Sequence, residues 1–365
     1  MFDVNAHLHT PYSFSAFEGI DQALDMAAAE GVKVVGINDF YSMDGYRDWI
    51  EGCAKRALFP LLGIEFISLN VEDQAAGVRV NDPNNPGRTY LSGKGLAYPV
   101  ILSGEPAQQL AAVRAESNAQ VEKMCEKLNA HLDAVGAGFR ISFAQVRDTL
   151  TRGSIRERHL AKAIRLAVDA QPGCEHCKRT LYEKIFGGKP LKSDPANVAA
   201  VENEIRGNLL KAGGAAFVPE DPKAFLPMET VQRIIEAAGG IPTYPFLADD
   251  AKGCFTDFEG DLQRAADTLK RRGFRSVEFI TTRNTTAVLE QYAGYLEDEG
   301  FIVSFGSEHN TPALEPIRLR TRDAAELSDK LKQINWRGAC AIAAHQRGLK
   351  TLEEGAEIIT KTVSL

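Results

Sequence analysis

The stretch that decides the fold opens the chain: Phe2-Asp3-Val4-Asn5-Ala6-His7-Leu8-His9. Its first residues alternate apolar and polar side chains, which predicts a short strand over 2–6 that ends at two histidines. The alternation then continues as helix, strand, helix and strand over 19–30, 32–37, 44–57 and 59–69. This βαβαβ order predicts a parallel sheet with right-handed crossovers, in which functional side chains collect at the C-terminal strand ends.

Residues typical of metal sites follow these three strands. His7 and His9 come after the first strand, Asp39 after the second, and Glu65 lies within the third. Alternate residues of an extended segment point to the same side, so the two imidazoles can bind one divalent ion. Glu65 is embedded in an apolar strand, where a buried carboxylate needs a compensating charge. A metal at the sheet end would supply it, although a solvated strand face for Glu65 remains an alternative.

The alternating pattern is interrupted after the third strand. Residues 71–99 are rich in Pro, Gly and Asn, and a long block with helical periodicity follows them. Strands and helices alternate again from 228 to 305. We therefore predict a barrel formed by 1–70 and 216–322, an insertion over 71–215 that is a Pro/Gly-rich loop and then mostly helical, and a C-terminal helical segment over 323–365.

Composition narrows the class of protein. The 365 residues carry a formal charge of −7, which argues against a broad basic surface for a nucleic acid polymer. No apolar run reaches the roughly 18 residues of a membrane span, and the first residues lack the features of a signal peptide. We expect a cytoplasmic protein with reduced thiols.

Cys174 and Cys177 have the spacing of half a zinc site, but no second half is found in the sequence. We therefore interpret them as two thiols near the start of a helix.

The last clear strand ends at Ser304-Phe305-Gly306-Ser307-Glu308-His309-Asn310, which adds a carboxylate and an imidazole. Together with the motifs above and Gly239-Gly240-Ile241-Pro242-Thr243-Tyr244-Pro245, this order resembles the PHP (polymerase and histidinol phosphatase) family. The nearest resemblance is to its stand-alone metal-dependent phosphoesterase branch. The segment 156–164 is similar to the motif that opens the helical insertion of that branch. The resemblance covers most of 1–70 and 150–312.

The resemblance implies a distorted (β/α)₇ TIM-like barrel with a large helical insertion. It also implies an enzyme that binds one or two divalent ions (Zn, Mn or Fe) and hydrolyses a small phosphate ester with metal-activated water. Carried over by motif, the metal ligands are His7, His9, Glu65 and Glu308, with His309 and Tyr244 as further candidates. Glu65 would bridge to a second ion. The candidate catalytic residues are Glu65 together with Asp39 and His159, and the last two are candidate proton-handling groups.

Three imidazoles that the family pattern would supply are replaced here. Phe40, Tyr244 and Asn310 stand in their places. A phenolate or an amide oxygen is a poorer ligand than imidazole for a borderline metal, and Phe40 cannot ligate at all. We therefore expect one well-formed metal site, leave a second open, and expect no third.

A small anionic or phosphorylated substrate would need cations near the barrel rim. Arg88, Lys94 and Arg158 lie in segments that could reach over it, and Ser15 could donate a hydrogen bond to a phosphate. The alternative for the charged residues is that they are solvated loop charges. A homo-oligomer is left open.

Three hypotheses remain at this stage. The first is metal-dependent hydrolysis of a phosphate ester. The second is a hydrolase or lyase of the same fold with fewer metals and another small anionic substrate. The third is a non-catalytic protein that binds a ligand in the same pocket.

Overall fold

The computed structural model describes residues 1–250 and 252–364. Within these residues seven strands form a nearly closed barrel in the order β1-β2-β3-β4-β6-β7-β8, and the short β5 pairs with β3 outside this path. The strands are β1 Asp3–Leu8, β2 Val32–Phe40, β3 Phe59–Leu69, β4 Arg88–Lys94, β5 Leu226–Pro227, β6 Ile241–Phe246, β7 Ser276–Ile280 and β8 Ile302–Gly306. The predicted fold class, a distorted (β/α)₇ barrel, is confirmed.

The barrel closes between its first and last strands. Leu8 forms a parallel bridge with Glu308, the His9 N–H donates to the Glu308 carbonyl at 2.7 Å, and the Glu308 N–H donates to the His7 carbonyl at 3.0 Å. Glycine is required at 306, because a Cβ there would lie 2.2 Å from the Cβ of His7. The close approach fixes the backbone that carries both N-terminal histidines.

One strand differs from the sequence prediction. Residues 88–94, which we predicted as part of the 71–215 insertion, form β4 and pair antiparallel with both β3 and β6. The pattern was hidden because Gly93 and Gly95 resemble turn residues. Gly93 is needed for packing: a Cβ there would lie 2.8 Å from Cγ2 of Ile235. The mostly helical part of the insertion therefore begins after this strand.

Helices cover the barrel and build the insertion. They are α1 Ile20–Ala29, α2 Tyr46–Ala54, α3 Val71–Ala75, α4 Gly104–Ala134, α5 Phe143–Leu150, α6 Glu157–Asp169, α7 Glu175–Ile185, α8 Val198–Ile205, α9 Met228–Ala237, α10 Leu262–Arg271, α11 Thr286–Asp298, α12 Asp329–Gln346 and α13 Leu352–Val363. The main core lies around the barrel, a separate core lies among α4 to α8, and another joins α12 and α13 to the strands. The insertion thus has hydrophobic packing of its own.

In the part of the chain that the structure describes, no helix has both the length and the apolar character needed to cross a membrane.

Candidate metal centre and anion pocket

Three side chains converge inside the barrel, two at the end of β1 and one within β3. Nε2 of His7 and Nε2 of His9 lie 3.2 Å apart, and Oε2 of Glu65 lies 3.0 Å from the His9 nitrogen and 3.7 Å from the His7 nitrogen. All three residues are at most 2% exposed. Tetrahedral Zn²⁺ with bonds of about 2.0–2.1 Å has ligand atoms about 3.3 Å apart. The spacing of this two-nitrogen, one-oxygen set therefore fits one divalent ion.

Each imidazole is oriented through its other nitrogen. Nδ1 of His7 lies 3.0 Å from Oε2 of Glu278. Nδ1 of His9 lies 3.1 Å from Oγ of Ser13, whose hydroxyl donates to Asp39 at 2.6 Å, so this oxygen accepts from the His9 ring. Because both Nδ1 atoms are engaged with acceptors, both Nε2 atoms can present lone pairs to a metal.

Oε2 of Glu65 is buried and has no hydrogen-bond donor among the described residues. Burial raises the pKa of Glu65, but contacts with His7 and His9 outweigh it and lower the pKa to about 2. Burial likewise lowers the pKa of His7, but the charge of Glu278 and the hydrogen bonds to Glu278 and Glu65 together outweigh it and raise the pKa to about 9. Without an ion, a proton on His7 compensates the negative charge of the Glu65 and Glu278 carboxylates. A divalent ion would satisfy the free Glu65 oxygen instead.

The other predicted metal ligands lie outside this three-residue group. Glu308 is at the cleft rim, where both carboxylate oxygens accept from Nη2 of Arg283 at 2.8 Å. His309 contacts the Ser307 hydroxyl and the Glu315 carbonyl and stacks on Phe17. These contacts hold the His309 ring outside the three-residue group.

Tyr244 is also separate from the centre. Its hydroxyl donates to Oε1 of Glu259 at 2.6 Å, and its ring lies in the hydrophobic core. The next residue, Pro245, lines the cleft instead. Side chains alternate along β6, so the tyrosine and the cleft-facing proline point to opposite sides of the strand.

The two candidate proton-handling groups have structural contacts. Asp39 is buried, which raises its pKa, and it accepts from the backbone and hydroxyl of Thr10 as well as from Ser13. His159 lies in the first turn of α6, where its Nδ1 accepts from the Arg156 N–H at 2.9 Å. Burial lowers the pKa of His159 to about 3, so the ring is neutral. Asp39 acts on the centre through Ser13, whereas His159 caps a helix.

The four residues predicted to bind substrate do not lie together in the structure. Lys94 is on β4 inside the barrel and is 2% exposed, because its segment is a strand rather than a loop. Arg88 pairs with Glu220 at 2.7 Å. Ser15 donates to the His9 carbonyl at 2.8 Å. Of these residues only Arg158 lines the cleft above the metal centre.

This cleft has a volume of about 120 Å³, and Glu65 is one of the residues that line it. The cationic residues on its walls are Arg156, Arg158, Arg206 and Arg283. Arg206 is neutralised by Glu157 at 2.7 Å, and Arg283 is paired with Glu308. The guanidinium groups of Arg156 and Arg158 have no carboxylate within 4.0 Å in the described chain. Arg158 donates to Oδ1 of Asn203 at 2.9 Å, whereas the guanidinium of Arg156 lies 4.7 Å above the Phe40 ring. Arg156 is therefore the cation most available to an incoming anion.

Sequence reasoning missed Glu278, Asn38 and Arg283. Glu278 carries the signal that identified Glu65, since it is a carboxylate within the apolar strand Ser276-Val277-Glu278-Phe279-Ile280. Arg283 follows the same strand by three residues, at the strand end where functional side chains are expected. Asn38 gave no signal, because its role depends on contacts made by β4.

Comparisons with known proteins bear on the fold. No protein-family model and no curated protein matches the sequence. A candidate metal-dependent phosphoesterase from Bifidobacterium adolescentis matches with a TM-score of 0.56 and 16% identity, over 91% of this chain and 94% of that one. An amidohydrolase from Chromobacterium violaceum, solved with sulfate and without metal, matches with a TM-score of 0.54 and 17% identity, over 91% and 96%. At identities this low, the structural similarity shows a shared fold alone.

Proposed function

We propose that this protein is a metal-dependent hydrolase of a small phosphate ester and that His7, His9 and Glu65 hold one divalent ion. The observation that carries the proposal is the convergence of their three ligand atoms beside an arginine-lined cleft. The donor set of two imidazoles and one carboxylate suits Zn, Mn or Fe. An ion bound there would polarise an ester oxygen and lower the pKa of a nearby water molecule.

The residues of the chain would hold and orient the substrate. The planar guanidinium of Arg156 can donate two parallel hydrogen bonds to phosphate oxygens, and stacking on Phe40 holds its plane. Arg283 lines the same cleft and can contribute further donors if the phosphate displaces Glu308. Asp39 and Ser13 keep His9 in the tautomer whose Nε2 is free.

Metal analysis and turnover test this proposal together. Protein purified and dialysed in Mn²⁺ or Zn²⁺ should hold about one equivalent of metal, and it should hydrolyse members of a phosphate monoester panel. His9→Ala should lose both properties, because it removes a ligand atom. His176→Ala is the matched control, since His176 is exposed on α7. Less than half an equivalent of metal in the parent protein, or no turnover of any ester, would contradict the proposal.

A second candidate is hydrolysis or a lyase reaction on a small carboxylate substrate at the same centre. It is favoured by the contact between Arg283 and Glu308, because a guanidinium that already binds a carboxylate in the cleft can exchange it for a substrate carboxylate. Turnover of amides or esters of carboxylic acids, without turnover of phosphate esters, would support it. Metal binding with turnover of neither class would favour a ligand-binding protein.

A further inference from the structure

Lys94 is buried beside the candidate metal centre. Its ammonium nitrogen lies 2.7 Å from Oε2 of Glu278, 3.0 Å from the Ala6 carbonyl and 3.1 Å from Oδ1 of Asn38. An ammonium group has three N–H donors, so each is used in one of these contacts. Lys94 thus has neither a free donor nor an exposed surface with which to bind a substrate.

Glu278 is the carboxylate that this ammonium compensates. It is fully buried, its Oε2 contacts both Lys94 and His7, and its Oε1 has no partner among the described residues. Glu65 and Glu278 both contact the ring of His7. Two buried carboxylates around one imidazole would attract a second cation, because an uncompensated buried charge is strongly unfavourable.

Lys94 also fixes Asn38. Because Oδ1 of Asn38 accepts from the ammonium, its amide nitrogen faces the His7 ring at 3.2 Å and the Ser92 hydroxyl at 3.1 Å. Gly63 on β3 leaves room for this arrangement, since a Cβ there would lie 2.2 Å from Oδ1 of Asn38. The ammonium therefore orients both polar neighbours of His7.

We propose that the Lys94 ammonium takes the place of a second divalent cation, so that the centre binds a single ion, and that Lys94 positions His7 through Glu278 and Asn38. The inference rests on the proposed function for the first ion. A second metal ion is unnecessary because the Lys94 ammonium already neutralises the charge of the Glu278 carboxylate.

Metal stoichiometry gives the first test. Titration of the metal-free protein with Mn²⁺ alone should saturate at one equivalent. Two equivalents would overturn the inference while leaving metal-dependent hydrolysis intact. One equivalent without phosphate ester turnover would contradict the proposed function and support the inference. No bound metal would contradict both.

Two variants test the role of the ammonium by a readout that does not need activity. Lys94→Met should lower the Tm of the metal-free protein, and Mn²⁺ should raise this Tm by more than it raises that of the parent, because Glu278 can then bind an ion. The double variant Lys94→Met/Glu278→Leu should lose that extra response. Lys189→Met is the control, since Lys189 is exposed. If Mn²⁺ raised the Tm of Lys94→Met by no more than it raises the Tm of the parent protein, the inference would be overturned. If Lys94→Met does not fold, the number of Mn²⁺ equivalents bound by the parent protein still tests the inference.

A second, independent observation concerns Cys174 and Cys177 in the insertion. Both thiols are exposed, and their sulfur atoms lie 3.1 Å apart. Cys174 is the N-cap of α7, and a hydrogen bond from Cys177 lowers its pKa. A thiol with a lowered pKa has more of the thiolate form, which is the nucleophile in exchange with disulfides.

We infer that this pair forms a reversible disulfide by exchange with a small disulfide such as oxidised glutathione. The Cys174 thiolate attacks one glutathione sulfur, forms a mixed disulfide and releases one glutathione thiolate. The Cys177 thiolate then attacks the Cys174 sulfur and releases the second. Two protein thiols are oxidised to one disulfide, and one glutathione disulfide is reduced to two thiols.

Alkylation in glutathione buffers, followed by peptide mass spectrometry, tests this inference. As the buffer becomes more oxidising, Cys174 and Cys177 should lose alkylation together and be recovered as one linked peptide. Cys254, an exposed thiol with no neighbouring thiol among the described residues, should instead carry glutathione and is the internal control. Cys177→Ser should trap the mixed disulfide on Cys174. Separate glutathionylation of both cysteines in the parent protein would overturn the inference.

Discussion

Ser13 is a single hydroxyl on which the geometry of the metal centre depends. It accepts from Nδ1 of His9 and donates to Asp39, so it links a buried carboxylate to a metal ligand. Ser13→Ala removes both contacts and leaves the His9 ring without an acceptor. We expect metal affinity to fall about tenfold, equivalent to about 1.4 kcal/mol, because loss of such partners typically weakens metal binding 10- to 100-fold. Competition with a chromophoric chelator measures it, and an unchanged Kd would disprove the role.

Arg156 should control substrate binding without affecting the metal. Its guanidinium has no carboxylate partner in the described chain and faces the cleft over Phe40. Arg156→Met should therefore raise KM at least tenfold while the metal content stays near one equivalent. Arg140→Met serves as the control, because Arg140 is exposed on the insertion. Equal KM values for the two variants would rule out a direct contact between Arg156 and the substrate.

At the scale of elements, Glu259 ties the end of β6 to the helices that cover it. Its carboxylate accepts from the Tyr244 hydroxyl and from the Leu247 and Ala248 N–H groups, and its carbonyl accepts from the Tyr292 hydroxyl on α11. Burial raises its pKa to about 8 from an ordinary value of 4.5, and the three donors only partly offset this effect. The folded protein therefore keeps a proton at neutral pH that the unfolded chain releases.

The sign of the pH dependence follows from that difference. Between about pH 4.5 and 8 the folded state binds more protons at Glu259 than the unfolded state does, so the free energy of unfolding should fall as pH rises through this window. Glu259→Gln cannot titrate, so its urea midpoint should fall less between pH 5 and pH 8.5 than that of the parent protein. Parallel pH profiles for the two proteins would contradict the raised pKa.

Hydrophobic periodicity was sufficient to predict the elements that bring His7, His9 and Glu65 together. It failed where contacts between distant elements decide the outcome. Lys94 could not be placed, because the glycines around it conceal an antiparallel strand whose partners are far along the chain. Tyr244 could not be assigned to a strand face without the register of β6. The pairing of Arg283 with Glu308 likewise depends on how two strand ends meet.

At the scale of the whole molecule, the barrel and the insertion contribute different parts of one site. The barrel holds the three candidate metal ligands, whereas the insertion supplies Arg156, Arg158 and Arg206 and has its own hydrophobic core. Leu160 is fully buried in that core, so Leu160→Ala should destabilise the insertion by about 2–5 kcal/mol. Hydrogen exchange should then accelerate across 104–210 while the barrel strands stay protected.

Substrate binding should depend on the insertion, and metal binding should depend on the barrel. Leu160→Ala should weaken substrate binding, because the arginines lose their fixed positions, and should leave the Kd for metal unchanged. The matched variant Leu289→Ala removes a fully buried side chain from the barrel core and should weaken both. Equal loss of metal affinity in the two variants would mean that barrel and insertion unfold as one cooperative unit, with the metal centre dependent on both cores.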